Sequence, residues 1–183
     1  MKIIGIDPGK TGGVVRIEAD GDVLNSIAMP EHLYQLADLF DEWLAEGEHH
    51  VFLEKGQAMP KNGAVSMFNY GHHCGQLEGL LIALRIPYTL VSSPTWAKVI
   101  HQGTKAADAK SRTLVAIRRL FPRQRLTPLE SRGIKPHTGI VDALAIAEYG
   151  RRVYIPGGEI LLPKDSYEVV VDYETGKKLK VVS

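Results

Sequence analysis

The chain has 183 residues, of which 44% are hydrophobic and 23% are charged, and its formal net charge at pH 7 is +1. This composition is ordinary for one globular domain with room for a small appendage. No run approaches the ~18 apolar residues of a membrane span, the opening MKIIGID is too short for a signal peptide, and Cys74 is the only cysteine. We therefore expect no membrane partner, no internal disulfide and a cytoplasmic location. A protein encoded by a phage would act in the cytoplasm of the host.

The first half of the chain alternates short apolar runs with turn signals. The runs KIIGID, GVVRIEAD and DVLNSIAM predict three antiparallel strands, the last two of which flank an Asp-Gly turn. Apolar residues at helical spacing then predict a helix from Pro30 to about Glu46. A fourth strand is predicted at HHVFLEK, with His49 and His50 interpreted as a solvated turn before it.

The second half of the chain predicts alternating helices and strands. A polar loop, GQAMPKNG, leads into a long helix over Val65–Ile86, and PYTLVS follows as a fifth strand. PTWAKVI, AADAKSRTLVAIRRLF and IVDALAIAEYGRR predict three more helices, and the tail YEVVVDYETGKKLKVV predicts a β-hairpin. We expect a main domain over residues 1–155 and a C-terminal extension over residues 156–183.

This order of elements predicts an α/β fold with a mixed five-stranded sheet. Three antiparallel strands come first, parallel strands follow, and helices flank the sheet. The C-terminal hairpin would be an addition to that sheet. The strand order is that of the ribonuclease-H-like superfold.

Three acids occur in otherwise apolar settings. Asp7 ends the first strand, Glu54 lies near the end of the fourth, and Asp142 is predicted in the first turn of the last helix. If the two strands are neighbours and the helix crosses them, the acids converge, and their repulsion calls for a cation. Oxygen ligands suit Mg²⁺ or Mn²⁺, and two such ions roughly 4 Å apart promote phosphodiester hydrolysis. Taken singly, each acid has an alternative interpretation: Asp7 as a turn residue, Glu54 as an exposed strand-end charge and Asp142 as a helix-dipole partner.

Several stretches together carry a family resemblance. IIGIDPGKTGGVV, FLEK with its following loop and helix, IPYTLVSSPTWAK and VDALAIAEYGRR resemble the RuvC family of Holliday junction resolvases, especially its phage and organellar relatives. The similarity spans roughly residues 1–152. It implies a homodimeric, Mg²⁺-dependent endonuclease, with two ions per active site, that nicks opposed strands of a four-way DNA junction. Asp7, Glu54 and Asp142 fall on the metal-binding acids of the family.

The sequence departs from the family pattern in two places. Counting one helical turn back from Asp142, where the family has a fourth ligand, gives Gly139, which has no side chain. His137 is our candidate catalytic replacement, and a loop histidine that contacts phosphate is the alternative. After Glu54, the position of the residue that wedges into the junction is Gln57 by count, and Met59 is the nearest apolar side chain.

Basic residues are concentrated in the second half of the chain. Residues 98–135 hold ten Lys or Arg and two acidic residues, whereas residues 1–54 hold three basic and eleven acidic residues. Such asymmetry is typical of a surface that meets a polyanion, and also of a solvated helix face beside a basic loop. From the resemblance and the position of these residues, we expect DNA-backbone contacts from Lys10, Lys61, Lys98, Lys105, Lys110 and Arg112.

Other functions fit parts of the sequence. Asp7-x-Gly9-x-Thr11 also resembles the first phosphate loop of actin-like ATPases, but those proteins need two such domains, and we expect no small-molecule substrate. A non-catalytic binder of branched DNA is a second alternative. A nuclease of the same chemistry that acts on flaps or forks is a third, because dimer geometry selects the substrate. We expect the homodimer to form through the apolar face of the Val65–Ile86 helix.

Overall fold

The structure is a computed structural model. It describes residues 1–57 and 63–153, together with the backbone of two strands in the C-terminal region. The elements are β1 (Lys2–Asp7), β2 (Gly13–Glu18), β3 (Val23–Ala28), α1 (Leu33–Leu44), β4 (His49–Glu54), α2 (Ala64–Ala83), β5 (Tyr88–Val91), α3 (Ser93–Ile100), α4 (Ala109–Leu120), α5 (Thr138–Val153), β6 (Tyr167–Val171) and β7 (Lys178–Val181). No helix among the described residues has the length and apolar character needed to cross a membrane.

The strands form one mixed sheet in the order β3-β2-β1-β4-β5-β6-β7. β2 pairs antiparallel with both β1 and β3, whereas β1, β4 and β5 run parallel to one another. The predicted five-stranded mixed sheet is therefore confirmed. The C-terminal hairpin continues this sheet, because β6 pairs antiparallel with β5 and β7 pairs antiparallel with β6.

The sheet separates two hydrophobic clusters, as expected when alternate residues of a strand point to opposite faces. Ile4 and Ile6 of β1 pack with α1 and α2 on one face. Ile3 packs on the other face with Phe52 and the helices α3, α4 and α5. Gly5 and Asp7 share this second face by alternation, so the end of β1 presents its acid toward α5.

Helix α5 lies unusually close to the sheet because glycines leave room for its backbone. A Cβ on Gly5 would lie 2.2 Å from the carbonyl oxygen of Ala143. A Cβ on Gly139 would lie 2.2 Å from the carbonyl carbon of Gly12, in the turn between β1 and β2. These contacts fix the position of α5 over β1, and with it the position of Asp142.

Two expectations about local structure were wrong. His49 and His50 do not form a solvated turn: both belong to β4 and are buried, because they pair with β1 and His50 Nε2 also lies 2.8 Å from Thr89 Oγ1. Helix α5 begins at Thr138, so Asp142 lies in its second turn, beyond the first-turn position where the helix dipole acts most strongly.

Candidate active site

Asp7 and Glu54 lie at the same end and on the same face of two neighbouring strands. β1 and β4 are parallel, and Ile6 lies beside Leu53 in the pairing register. Asp7 and Glu54 are the next residues on each strand. Because Ile6 and Leu53 face α1 and α2, alternation places both acids on the opposite face, toward α5. The parallel pairing therefore brings together two acids that are 47 positions apart in the sequence.

Helix α5 brings Asp142 to the same place. Burial raises the pKa of the Asp7 carboxyl to about 8, and repulsion from Asp142 and then Glu54 adds to the shift. Burial also raises the pKa of Asp142 to about 7, again with repulsion from Glu54. Lys110 opposes both shifts. The three carboxyls therefore lie close enough to repel one another. The positive charge of Lys110 opposes the pKa shifts of Asp7 and Asp142 without cancelling them.

The carboxylate of Glu54 is held by two donors from the start of α3. Ser93 Oγ donates to Glu54 Oε1 at 2.5 Å, and Trp96 Nε1 donates to Glu54 Oε2 at 2.8 Å. Trp96 is also buried in the cluster beneath α5. Sequence reasoning missed these roles of Ser93 and Trp96. The signal for them was the position of SSPTW immediately after a buried strand.

We expect Trp96→Phe to weaken Mn²⁺ binding by about tenfold to a hundredfold, because residues that orient a metal ligand have effects of this size. The phenyl ring keeps most of the packing while the hydrogen bond to Glu54 is lost. Isothermal titration with Mn²⁺ measures the change. Trp43→Phe is the matched control, since Trp43 is a buried tryptophan in the opposite cluster. Equal Mn²⁺ affinity in both variants would contradict a positioning role for Trp96.

The donor set fits a hard divalent cation. Carboxylate oxygens are the ligands that Mg²⁺ and Mn²⁺ prefer, and a cation would relieve the repulsion that raises the two pKa values. As the side chains stand, no three His, Cys, Asp or Glu residues in the described ranges are arranged to hold one ion together. Asp7 and Asp142, which lie close enough to repel each other, are the candidates for direct ligands. Glu54 fits as a ligand only through the lone pairs that Ser93 and Trp96 leave unused.

Two solved structures of Thermus thermophilus RuvC resemble this chain. One, RuvC in complex with a Holliday junction substrate, has a TM-score of 0.55 and 17% sequence identity, covering 82% of this chain and 92% of that chain. The other, RuvC itself, has a TM-score of 0.52 and 22% identity, covering 82% of this chain and 93% of that chain. The chain has the RuvC fold. No protein-family model matches the sequence, and no curated protein does.

In this RuvC-like fold, basic residues border the approach to Asp142. A cavity of about 290 Å³ is lined by Asp142, Thr138, Lys110 and Lys135. Lys110, at the start of α4, is close enough to lower the pKa values of both aspartates. Two lysines that line one cavity are suited to contact a phosphate, because positive charge positions a DNA backbone without reading its sequence.

Most of the other residues that we predicted to contact DNA lie in the described ranges. Lys10 is exposed in the turn after Asp7, and Lys98 and Lys105 are exposed around the end of α3. Arg112 is half-buried, with Nη2 donating to the carbonyl oxygen of Ala106 at 3.4 Å. Gln57 is exposed and lines a cleft with Tyr70. The predictions for Met59 and Lys61 fall on residues outside the described ranges.

His137 lies at the start of α5 and makes hydrogen bonds there. Its Nδ1 accepts from the backbone N–H of Ile140 at 3.3 Å, and its carbonyl accepts from Val141 at 3.1 Å. Both bonds satisfy donors of the first turn of the helix, so His137 caps α5. Gly139 is packed against Gly12 and has no space for a side chain. The residue one turn before Asp142 that shares its cavity is Thr138.

Helix α2 adds two side chains near the acids that sequence reasoning did not place there. The ring of Tyr70 lies between Gly9, after β1, and Gly56, after β4, at 3.6 and 3.7 Å from the positions that their Cβ atoms would take. His73 Nδ1 accepts from the backbone N–H of Gly9 at 3.0 Å. Because both residues lie inside a long helical pattern, their spacing alone does not reveal these contacts.

Proposed function

We propose that this protein is a metal-dependent DNA endonuclease that resolves four-way junctions by cutting opposed strands. The observation that carries the proposal is the meeting of Asp7, Glu54 and Asp142 at one end of a RuvC-like sheet, where the carboxyls repel one another. The similarity to a RuvC structure that contains a Holliday junction substrate supports this choice of DNA. The lysines around the cavity at Asp142 support a polyanionic substrate.

The acids would hold Mg²⁺, with Mn²⁺ as a substitute and two ions in each site. When bound, these ions supply an activated water and stabilise the leaving 3′ oxygen. Asp7 and Asp142 would bind the ions, and Glu54 would stay oriented because Ser93 and Trp96 donate hydrogen bonds to both of its oxygens. Lys110 places a positive charge near the carboxyls, and it would contact a phosphate of the strand being cut.

The experiment uses a labelled four-way junction and a linear duplex of the same sequence, each with Mg²⁺, Mn²⁺ or a chelator. We expect paired nicks in opposed strands of the junction, dependent on the metal, and no cut in the duplex. Equal cutting of the duplex would refute junction selectivity. Faster cutting of flap or fork substrates in the same assay would replace the four-way junction with another branched DNA. Tight junction binding without a cut would identify a non-catalytic binder.

A homodimer through α2 forms part of this proposal. Val65 and Phe68 are 75% and 72% exposed on α2, and the ring of His72 stacks on Phe68 with centroids 6.2 Å apart. Gly75 and Gly79 continue the same helical face, and nothing lies within 4 Å of their Cβ positions. A helix with exposed apolar side chains and an accessible backbone is suited to close packing against a copy of itself. A two-fold dimer would present two active sites to a nearly two-fold junction.

Phe68→Glu is expected to convert the dimer to a monomer, because a charge would be buried at the centre of the interface. Sedimentation equilibrium would then give a mass of 20.2 kDa instead of twice that value. Val115→Glu introduces the same charge at an exposed apolar position on α4 and serves as the control. A dimer that survives Phe68→Glu would place the interface elsewhere.

A further inference from the structure

A second cleft, of about 560 Å³, lies beside the turn that follows Asp7. One wall is the segment that leads into α1, and the other is α2. We call it the Tyr34 cleft, and the side chains that matter for its chemistry are Lys10, Glu31, His32, Tyr34, His73 and Gln76. The proposed chemistry of the three acids does not use this cleft, so its occupant has to be inferred from its own side chains.

The cleft contains a stacked pair of rings that is open to solvent. The rings of His32 and Tyr34 have centroids 5.4 Å apart and planes within 11° of each other. Tyr34 is nevertheless 65% exposed, so the pair is not part of the hydrophobic core. A partly exposed aromatic face of this kind accepts a further flat ring by stacking, which is how proteins bind unpaired bases.

The polar groups of the cleft match a base better than a phosphate. His73 Nδ1 accepts from Gly9, so the proton of the neutral imidazole is on Nε2, which is then a donor. Burial, with the nearby charges of His72 and Lys10, lowers the pKa of His73 and favours this neutral form. Gln76 offers an amide, and the carboxylate of Glu31 balances the charge of Lys10. Donors and acceptors without excess positive charge suit the edge of a heteroaromatic base.

The cleft lies beside the turn that follows Asp7, because Lys10 of that turn lines it. Gly9, whose N–H is bound by His73, comes two residues after Asp7, and Lys10 follows it. We propose that the Tyr34 cleft binds an unpaired nucleobase of the DNA strand whose phosphate lies at Asp7, by stacking the base on Tyr34. The inference rests on the proposed function, and it adds a site for one nucleotide next to the cut. Lys10 would then contact the backbone between the acids and the cleft.

The test uses the full chain with Asp7→Asn, so that bound DNA stays intact. The probe is a single-stranded tetranucleotide that carries one 2-aminopurine, whose fluorescence falls when the base stacks on an aromatic ring. We expect binding to quench the probe. Adding Tyr34→Ala should weaken binding about tenfold or more, the effect of losing one stacked base, and should abolish quenching. Tyr34→Phe, which keeps the ring, should restore both.

Two controls separate stacking from other effects. Leu24→Ala, at an exposed apolar position on β3, should bind and quench like the Asp7→Asn background. A tetranucleotide with an abasic site in place of 2-aminopurine should bind as weakly as the probe binds to the Tyr34→Ala variant. Equal binding of the abasic probe, or unchanged quenching with Tyr34→Ala, would overturn the inference. The proposed function fails by a different result, namely the absence of metal-dependent junction cutting by the wild type.

Discussion

Asp7→Asn is expected to reduce metal-dependent junction cutting by more than about 100-fold and, without metal, to stabilise the fold at pH 8. The loss of activity follows because even residues that only orient metal ligands have effects of 10–100-fold. The gain in stability follows because an amide at this position carries no charge to be buried or repelled by Asp142 and Glu54. Cutting assays and thermal denaturation measure the two effects on the same preparations.

The pH dependence of this gain has a defined sign. The pKa of Asp7 is 3.8 in the unfolded chain and about 8 in the folded protein. At a pH between these two values, the folded state therefore binds more protons than the unfolded state. The stability of metal-free wild type therefore falls as pH rises from about 4 to 8. Asp142, with a pKa of about 7 in the fold, contributes in the same direction. At pH 4 the Asp7→Asn variant and wild type should have nearly equal stability.

At pH 8 we expect the variant to be more stable by roughly 2 kcal/mol or more, since one pKa unit corresponds to about 1.4 kcal/mol. Mn²⁺ should stabilise the wild type and remove most of this difference. Asp38→Asn, at an exposed position on α1, makes the same charge change away from the site and should have no comparable effect. A stability difference that is independent of pH would show that Asp7 is not held against the other acids.

Gly139→Ala is expected to lower the free energy of unfolding by about 2–4 kcal/mol. The added methyl would lie 2.2–2.3 Å from backbone atoms of Gly12 and Thr11, which cannot move aside as a flexible side chain would. Helix α5 would have to shift away from the turn between β1 and β2, and overpacking of this kind costs about 1–3 kcal/mol or more. Because that shift also moves Asp142, Mn²⁺ affinity should fall with stability.

Urea denaturation and Mn²⁺ titration measure the two effects of Gly139→Ala. Gly63→Ala is the control, because nothing lies within 4 Å of its Cβ position and its φ of −64° suits any residue. We expect that control to change stability by less than about 1 kcal/mol. If Gly139→Ala were as mild as the control, the close packing of α5 on the turn would not be what positions Asp142.

The sequence by itself determined the sheet and the identity of the acids. Strands and turns have local signals, namely period-two apolar runs and the Asp-Gly turn, so the order of elements and the mixed sheet were predictable. Asp7 and Glu54 stood out because each ends an apolar strand, where a charge is costly. Parallel pairing of β1 with β4 then brings them to one end and one face of the sheet.

Only the tertiary structure decided which segments meet around those acids. Ser93 and Trp96 reach Glu54 because β5 lies beside β4, and His73 reaches Gly9 because α2 lies beside the turn after β1. The burial of His49 and His50 likewise depends on strands distant in the sequence. Side-chain periodicity reports which face of an element is apolar, but it carries no information about the partner that covers that face. Gly139 shows the same limit: its missing side chain looked like a lost ligand, and packing against Gly12 is the physical reason for it.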